Sequence, residues 1–431
     1  MPHFPRPARA LAIVAAMGLA ACATPEPKPV ALPACPAVEK PACPAPPTAP
    51  IAVAPAPAPA PAPEPAPIPE VEYRGRLQPA AWADLPDWGR ESLRESLVAF
   101  LRGCPALDSQ ENWKAACAEA AAVPARATEA EIAAFFESRF TPHQVVNADE
   151  TTSGIVTGYY EPLLRGSRQR TRKYRYPIYG VPQDLVVIDL AGVYPDLKHK
   201  RLRGRMDGSR VVPYYARGDI DREDSPLRGL EIAWVDDPVE LFFLHIQGSG
   251  QVRLDTGETL RLGYAEQNGH PFRSVARLLI QRKELPAERT SLQGMKDWAR
   301  RHPGKVQQYM NANPSYVFFK ELEPGLPGPI GTLGVPLTGE RSVAVDPRVI
   351  PLGVPVYLST THPGSPRPLN RLMVAQDTGG AINGGVRADF FWGFGDDAGA
   401  QAGRMRQSGR MWVLLPRGYV PPSLVPKGAA S

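Results

Sequence analysis

Apolar and polar positions divide the chain into unlike stretches. Residues 11–19 are almost uniformly apolar behind Arg6 and Arg9, a run too short to span a bilayer and of the kind that forms an export signal. Within 87–104, Leu93, Leu97, Phe100 and Leu101 recur at helical spacing with charges between them, which predicts an amphipathic helix. A second helix is predicted from Thr128, because Thr128 and Glu131 form a capping box ahead of Ile132, Phe135 and Phe136. Beyond Gly158 the period shortens. YPIYG, DLVVIDL, RVVPYYA, LEIAWV and LFFLHIQ read as short strands separated by Gly, Pro and Asp. Val252 and Leu254, then Leu260 and Leu262, alternate about Asp255-Thr256-Gly257 and predict a hairpin. Helical texture returns over 271–282 and 291–310, and SVAVD, VPVYL, LMVAQD and MWVLL then read as strands. This order suggests a middle β-domain, barrel or sandwich, inserted into a first domain built from both ends of the chain.

Composition changes the picture most at the N-terminal side. Residues 23–70 hold 18 of the 51 prolines, mostly in Ala-Pro repeats, so that stretch can bury no core and is expected to be an extended tether. At about 3.1 Å per residue it could reach roughly 150 Å. The apolar run ends in Leu19-Ala20-Ala21-Cys22, which resembles a bacterial lipobox and makes Cys22 the expected lipid attachment point. Ala23, in place of Asp, points to the outer membrane. A formal net charge of +5 is mild, and an exported lipoprotein has no nucleic acid to meet. The basic runs 165–175 and 198–205 read as a solvated face, or else as contacts to a carboxylate-bearing polymer. Of the four remaining cysteines, Cys104 and Cys117 are expected to form a local disulfide, and Cys35 and Cys43 lie in the tether. Neither cysteine nor histidine spacing matches a metal site, so no metal and no cofactor are expected.

Chemistry concentrates in AQDTGGAINGGVRADFFWGFG, residues 375–395. Asp377 and Asp389 are read as lying in a glycine-rich loop, the second directly before Phe390, Phe391 and Trp392. Such surroundings desolvate a carboxylate and raise its pKa, and a second carboxylate, Asp377 or Asp346, pushes the same way. A carboxyl that keeps its proton is what protonation of a glycosidic oxygen requires. Aspartates in glycine-rich loops also cap turns, and Asp346 before Pro347 suits a turn as well. Glu161 is a second candidate acid, although Pro162 after it suits an extended turn. Gly248-Ser249-Gly250 lacks the spacing of a nucleophile elbow.

Six ordered motifs resemble the membrane-bound lytic murein transglycosylase A family: VTGYYEP, FFLHIQGSGQVRL, GYAEQNGHPFRSV, NPSYVFF, SVAVDPRVIPLG and LMVAQDTGGAINGGVRADFFWGFG. The resemblance spans about 85–418, and Asp346, Asp377 and Asp389 fall on the aspartates of the family's three-aspartate (3D) domain. It implies a mainly β fold with flanking helices: a double-psi β-barrel domain interrupted by a second, inserted β-barrel domain, with a groove for the glycan strand. The expected division is a signal at 1–22, a tether at 23–70, the first domain from 71–162 and 312–422 (3D part about 334–418), and the insert at 163–311. The implied activity is cleavage of the β-1,4 bond between N-acetylmuramic acid and N-acetylglucosamine, the muramic 6-hydroxyl replacing water and leaving a 1,6-anhydro end. By motif, Asp389 is the catalytic acid and then base, Asp377 orients or polarises it, and Asp346 braces the turn below. Tyr159, Tyr160, Gln247, Ser249 and Tyr264 are of the types a sugar groove needs. Peptidoglycan strands, and a membrane held through the lipid anchor, are the expected partners. An ordinary hydrolase or a non-enzymatic wall-binding tether are the competing expectations.

Overall fold

The chain order opens with strand β1 (Gly75–Pro79) and three helices, α1 (Arg94–Leu107), α2 (Glu111–Ala122) and α3 (Glu129–Arg139). The capping box is present: the Thr128 hydroxyl accepts from the Glu131 N–H, and the Glu131 carboxylate accepts from the Thr128 N–H at 2.6 Å. Helix α1 begins later than the periodicity suggests, because Asp87 takes a φ of 56° and closes a turn with Arg90. Cys104 of α1 and Cys117 of α2 are disulfide-bonded. The computed structural model describes residues 74–419, apart from 195, 196, 198, 199 and 201; the expected signal, Cys22, and the proline-rich tether with Cys35 and Cys43 lie outside the described residues. No helix among the described residues is long and apolar enough to cross a membrane.

After α3 come the long strands β2 (Phe140–Asn147) and β3 (Gly154–Glu161). The middle of the chain supplies β4 (Leu163–Ser167), β5 (Tyr176–Tyr179), β6 (Val186–Ile188), β7 (Leu202–Asp207), β8 (Arg210–Pro213), α4 (Arg217–Ile220) and β9 (Glu231–Val235). It continues with α5 (Pro238–Gln247), β10 (Ser249–Leu254), β11 (Thr259–Gln267), α6 (Val275–Gln281), α7 (Leu292–Arg301), α8 (Val306–Asn311) and β12 (Val317–Glu321). The last part adds β13 (Ser342–Ala344), β14 (Pro355–Thr361), β15 (Pro368–Asp377), β16 (Arg387–Phe394), α9 (Gly395–Ala402) and β17 (Arg406–Pro416).

These strands form three sheets. Strands from both ends of the chain make the largest, in the order β1-β2-β17-β14-β15-β13-β16-β3, and β3 pairs with β17 as well, so the order returns on itself. The middle segment makes a six-stranded sheet, β12-β11-β10-β4-β9-β5, and a three-stranded one, β6-β7-β8. Strand β12 hydrogen-bonds to β11, so the middle sheet extends to Glu321, beyond the expected boundary at 311. The predicted hairpin is present as β10 and β11, closed at Gly257 with a φ of 91°.

LFFLHIQ departs from expectation: it is helix α5, not a strand. Asp237 caps it by accepting from the Val239 and Glu240 N–H groups, Pro238 holds the first turn, and Gly248 ends it with a φ of 77°. These terminal signals outweigh the β-like look of an apolar run buried on most sides.

The principal core lies inside the large sheet and beneath α1 to α3. Phe100, Trp113, Phe136 and Phe140 meet there, together with Val343, Tyr357, Phe390 and Trp412. Because α1 and α2 cover that core, the bond between them closes a short loop at its edge. Replacing Cys104 and Cys117 together by alanine is expected to cost about 2–4 kcal/mol, read as a fall in thermal midpoint with the folded-state circular dichroism unchanged.

Candidate active site

Strand register assembles the site. Ala344 of β13 lies opposite Asp377 of β15 on one side and opposite Asp389 of β16 on the other; Asp389 in turn lies opposite Thr157 of β3. Directly paired residues point to the same face of a sheet, so Asp377, Ala344, Asp389 and Thr157 form one row across four strands. Two strand spacings, about 9–10 Å, separate the backbones of the two aspartates. The glycine-rich loop of the sequence reading is therefore confined to 378–386, and both aspartates sit on strands. The strand was hidden because Gly384, Gly385 and Gly393 crowd the segment on both sides of the alternating ADFFW run.

The same alternation decides which aromatics meet the acid. Phe391, two residues from Asp389, shares its face and packs against Tyr159 at 5.0 Å between ring centroids. Phe390 and Trp392 point the other way, into or against the main core, 4.6 Å apart. Gly158 permits this, since a Cβ there would lie 2.7 Å from the Trp392 indole nitrogen. Of the three expected aromatic neighbours, only Phe391 lies on the Asp389 side.

The three aspartates have different surroundings. Asp389 is partly buried and accepts one short hydrogen bond, from the Thr157 hydroxyl at 2.6 Å. Burial pushes its pKa up to about 6, against the Thr157 hydrogen bond and the positive charge of Arg387, and with a small push from Asp377. Asp377 is pinned: its Oδ1 accepts from the Thr332 N–H, the Thr332 hydroxyl and the Thr378 N–H, while its Oδ2 accepts from the Tyr159 phenol at 3.0 Å. Burial raises its pKa too, opposed by those hydrogen bonds. Asp346 stands apart. Burial alone would raise it, but the two-pronged Arg348 guanidinium at 2.7 Å and the Gly384 and Arg348 N–H groups hold it below the usual range. Arg348 also donates to Asn383, so Asp346 fixes the 380–384 loop and is not brought against Asp389.

The remaining expected residues divide unevenly. The Tyr159 ring is buried, and its phenol serves Asp377. Tyr160 faces away from that row, buried against Ala398 and Ala402 of α9, and only its backbone N–H reaches outward, to the Gln247 side-chain oxygen at 3.0 Å. Gln247 ends α5 and Ser249 opens β10, both half-buried, and Tyr264 is exposed with its hydroxyl 3.3 Å from Glu266. Glu161, at the passage from β3 to β4, is fully buried and held by Gln251 at 2.9 Å and Arg261 at 3.1 Å. Sequence reasoning missed Thr157, Thr332 and Phe394. Thr157 was signalled by its two-residue offset from Tyr159, and Thr332 had no signal. Phe394, 61% exposed, is an aromatic surface at the end of the acid's own strand.

A carboxyl with a raised pKa subtracts from stability once the unfolded chain ionises. For Asp389 the deficit begins as the pH rises past 3.8 and is complete above about 6. Its size is about 1–3 kcal/mol for a partly solvated group. Asp389→Asn keeps the acceptor for Thr157 and removes the charge, so thermal melts are expected to show it more stable than the parent at pH 7.5, with the gap narrowing at pH 4.5 and closing below about pH 3.8.

Comparison with known proteins agrees with this architecture. Residues 155–320 match the MltA specific insert domain, and residues 341–415 match the 3D domain. The chain is 32% identical over 279 residues to the membrane-bound lytic murein transglycosylase A of Escherichia coli strain K12, covering 63% of this chain and 68% of that one. The Vibrio cholerae protein of the same name is 29% identical over 280 residues, covering 63% and 68%. The crystal structure of MltA from Neisseria gonorrhoeae superposes with a TM-score of 0.71 at 39% identity, covering 80% of this chain and 93% of that one. That of a membrane-bound lytic murein transglycosylase from Agrobacterium tumefaciens gives 0.68 at 32%, covering 79% and 98%. E. coli MltA with bound chitohexaose gives 0.58 at 26%, covering 80% and 96%. With a mainly β fold, an inserted middle segment and the three aspartates in place, the chain belongs to the membrane-bound lytic murein transglycosylase A family.

Proposed function

We propose that the protein cleaves the β-1,4 bond between N-acetylmuramic acid and N-acetylglucosamine in peptidoglycan, with Asp389 as the single acid and base. The observation that carries this reading is the contrast among the aspartates. Asp389 is partly buried, held by one hydroxyl, and protonated over part of the range around pH 6, whereas Asp377 and Asp346 are taken up by protein donors.

In this mechanism the Asp389 carboxyl gives its proton to the glycosidic oxygen as the bond from C1 breaks, and positive charge develops at C1. The resulting carboxylate then takes the proton of the muramic 6-hydroxyl as O6 bonds to C1. The products are a 1,6-anhydro end and a free 4-hydroxyl, and Asp389 ends as it began. Thr157 fixes the orientation of the carboxyl. Tyr159 and Thr332 hold Asp377 so that its charge helps keep the proton on Asp389. Phe394, Tyr264 and the polar groups of Gln247 and Ser249 supply the flat apolar and hydrogen-bonding surface that sugar rings need.

The same reading takes the closed strand order of the large sheet as a double-psi β-barrel interrupted by the inserted middle domain. It also places the enzyme at the periplasmic face of the outer membrane, anchored through a lipid on Cys22 and reaching the wall along the proline-rich stretch. The relatives' description as membrane-bound supports the membrane part of this proposal.

Mass spectrometry of murein sacculi digested by the protein should show 1,6-anhydromuropeptides; reducing ends would identify a hydrolase instead. Asp389→Asn is expected to bind sacculi and release nothing, with a loss of at least about a thousandfold; a non-enzymatic binder would behave identically with and without the change. Thr157→Val removes a hydrogen bond that favours the anion, so the alkaline limb of the pH–rate profile should move upward by about half to one pH unit.

A further inference from the structure

On the side of Asp389 away from Asp377, the same sheet face carries two arginines. Arg387 lies two residues before Asp389 on β16 and opposite Ile155; Arg406 of β17 lies opposite Thr157, and Ser408 opposite Ile155. The row Asp377, Ala344, Asp389, Thr157 therefore continues to Arg406. The strand β3 runs between the two guanidinium-bearing strands, which places Arg387 and Arg406 diagonally across it. An open concavity of about 340 Å³ lies along β3 and β17, lined by Ser153, Gly154, Ile155, Arg406, Gln407 and Ser408; Arg387 stands beside it, paired in register with Ile155, and is not part of its lining.

The positive charges at and beside this concavity are offset in part by Asp389. Arg387 donates to the backbone oxygens of Ile155 and Ala388, and neither Arg387 nor Arg406 forms an ion pair with a carboxylate among the described residues. The two are close enough for Arg406 to lower the Arg387 pKa, a shift led by burial and opposed by Asp389. Two neighbouring like charges beside a cleft, one of them half-buried, cost free energy that a bound anion would recover. Ile155, 44% exposed, adds an apolar floor, and the Ser408 hydroxyl is exposed at its edge.

We propose that this cleft is a subsite for a carboxylate carried by the substrate next to the scissile bond, held between Arg406 and Arg387. The inference rests on the glycan reading above and deepens it. N-acetylmuramic acid differs from N-acetylglucosamine by a lactyl ether that carries either a free carboxylate or a peptide with carboxylates of its own. An arginine pair beside the acid therefore gives the site a way to tell the two sugars apart and to set which bond lies over Asp389. While Asp389 holds its proton it does not repel the ligand carboxylate, so binding of the charged arm and readiness of the acid coincide below about pH 6.

The test is calorimetric, with the full-length protein in an Asp389→Asn background so that nothing turns over. Three probes are titrated: neutral chitohexaose, a peptide-free glycan oligomer with lactyl carboxylates, and the same oligomer with its peptides. Because Arg406 is exposed, Arg406→Gln should fold normally. It is expected to weaken at least one carboxylate-bearing probe by about tenfold while chitohexaose stays within about twofold, with part of the loss restored by Arg406→Lys. Loss confined to the peptide-bearing oligomer assigns the carboxylate to the peptide; loss with both assigns it to the lactyl group. Unchanged affinity for both charged probes, or an equal loss for chitohexaose, overturns the proposal. If the parent binds none of the three, the glycan reading itself fails, and this subsite with it.

Discussion

The site depends on the register of one very short strand. Only Ser342–Ala344 of β13 separate β15 from β16, and Ala344 sets Asp377 and Asp389 on the same face at a fixed distance. A slip of one residue would turn Asp389 into the core and bring Phe390 out. That slip is opposed from both sides, since Phe390, Val343 and Ala388 are buried in the largest core. The hydrophobic pattern that stabilises the sheet is thus the same pattern that aims the acid. Ala344 itself is buried, in a small apolar cluster with Tyr159, Leu337, Ile382 and Phe391.

Within that frame the three aspartates show how surroundings assign roles to one side-chain type. Asp346 receives a guanidinium and two backbone N–H groups, and the result is a stable anion that ties β13 to the 380–384 loop. Asp377 receives four donors and is immobile. Asp389 receives one, and burial outweighs it. Hydrogen bonds here do not simply add stability: where they are many they fix geometry, and where they are few they leave a proton exchangeable. The cost of keeping Asp389 under-solvated falls on folding stability, and the packed sheets and the bond between Cys104 and Cys117 offset it.

Much of this was legible beforehand, for identifiable reasons. Helix α3 announced itself through Thr128 and Glu131, and the β10–β11 hairpin through Asp255-Thr256-Gly257, because these signals are local. Helix α5 was misread because LFFLHIQ is apolar on most sides, and period fails for such runs; Asp237, Pro238 and Gly248 were the signals to weigh. Strand β16 was read as loop because glycines surround it, although ADFFW already alternates. The aspartates were found through motif order, yet their separation was not, since it depends on pairing between residues far apart in the chain. Tyr159 and Tyr160 look equivalent in sequence, and strand alternation alone sends one to Asp377 and the other under α9. Thr332 donates to Asp377 from a loop that carries no pattern of its own.

The central claim concerns one proton, and it can be followed directly. With aspartate labelled at the carboxyl carbon, and the Asp389 resonance assigned by its absence in Asp389→Asn, the chemical shift can be titrated against pH in the free protein. The account predicts a midpoint near 6 for that single resonance. A midpoint near 3.8, the ordinary value for an aspartate, would contradict it.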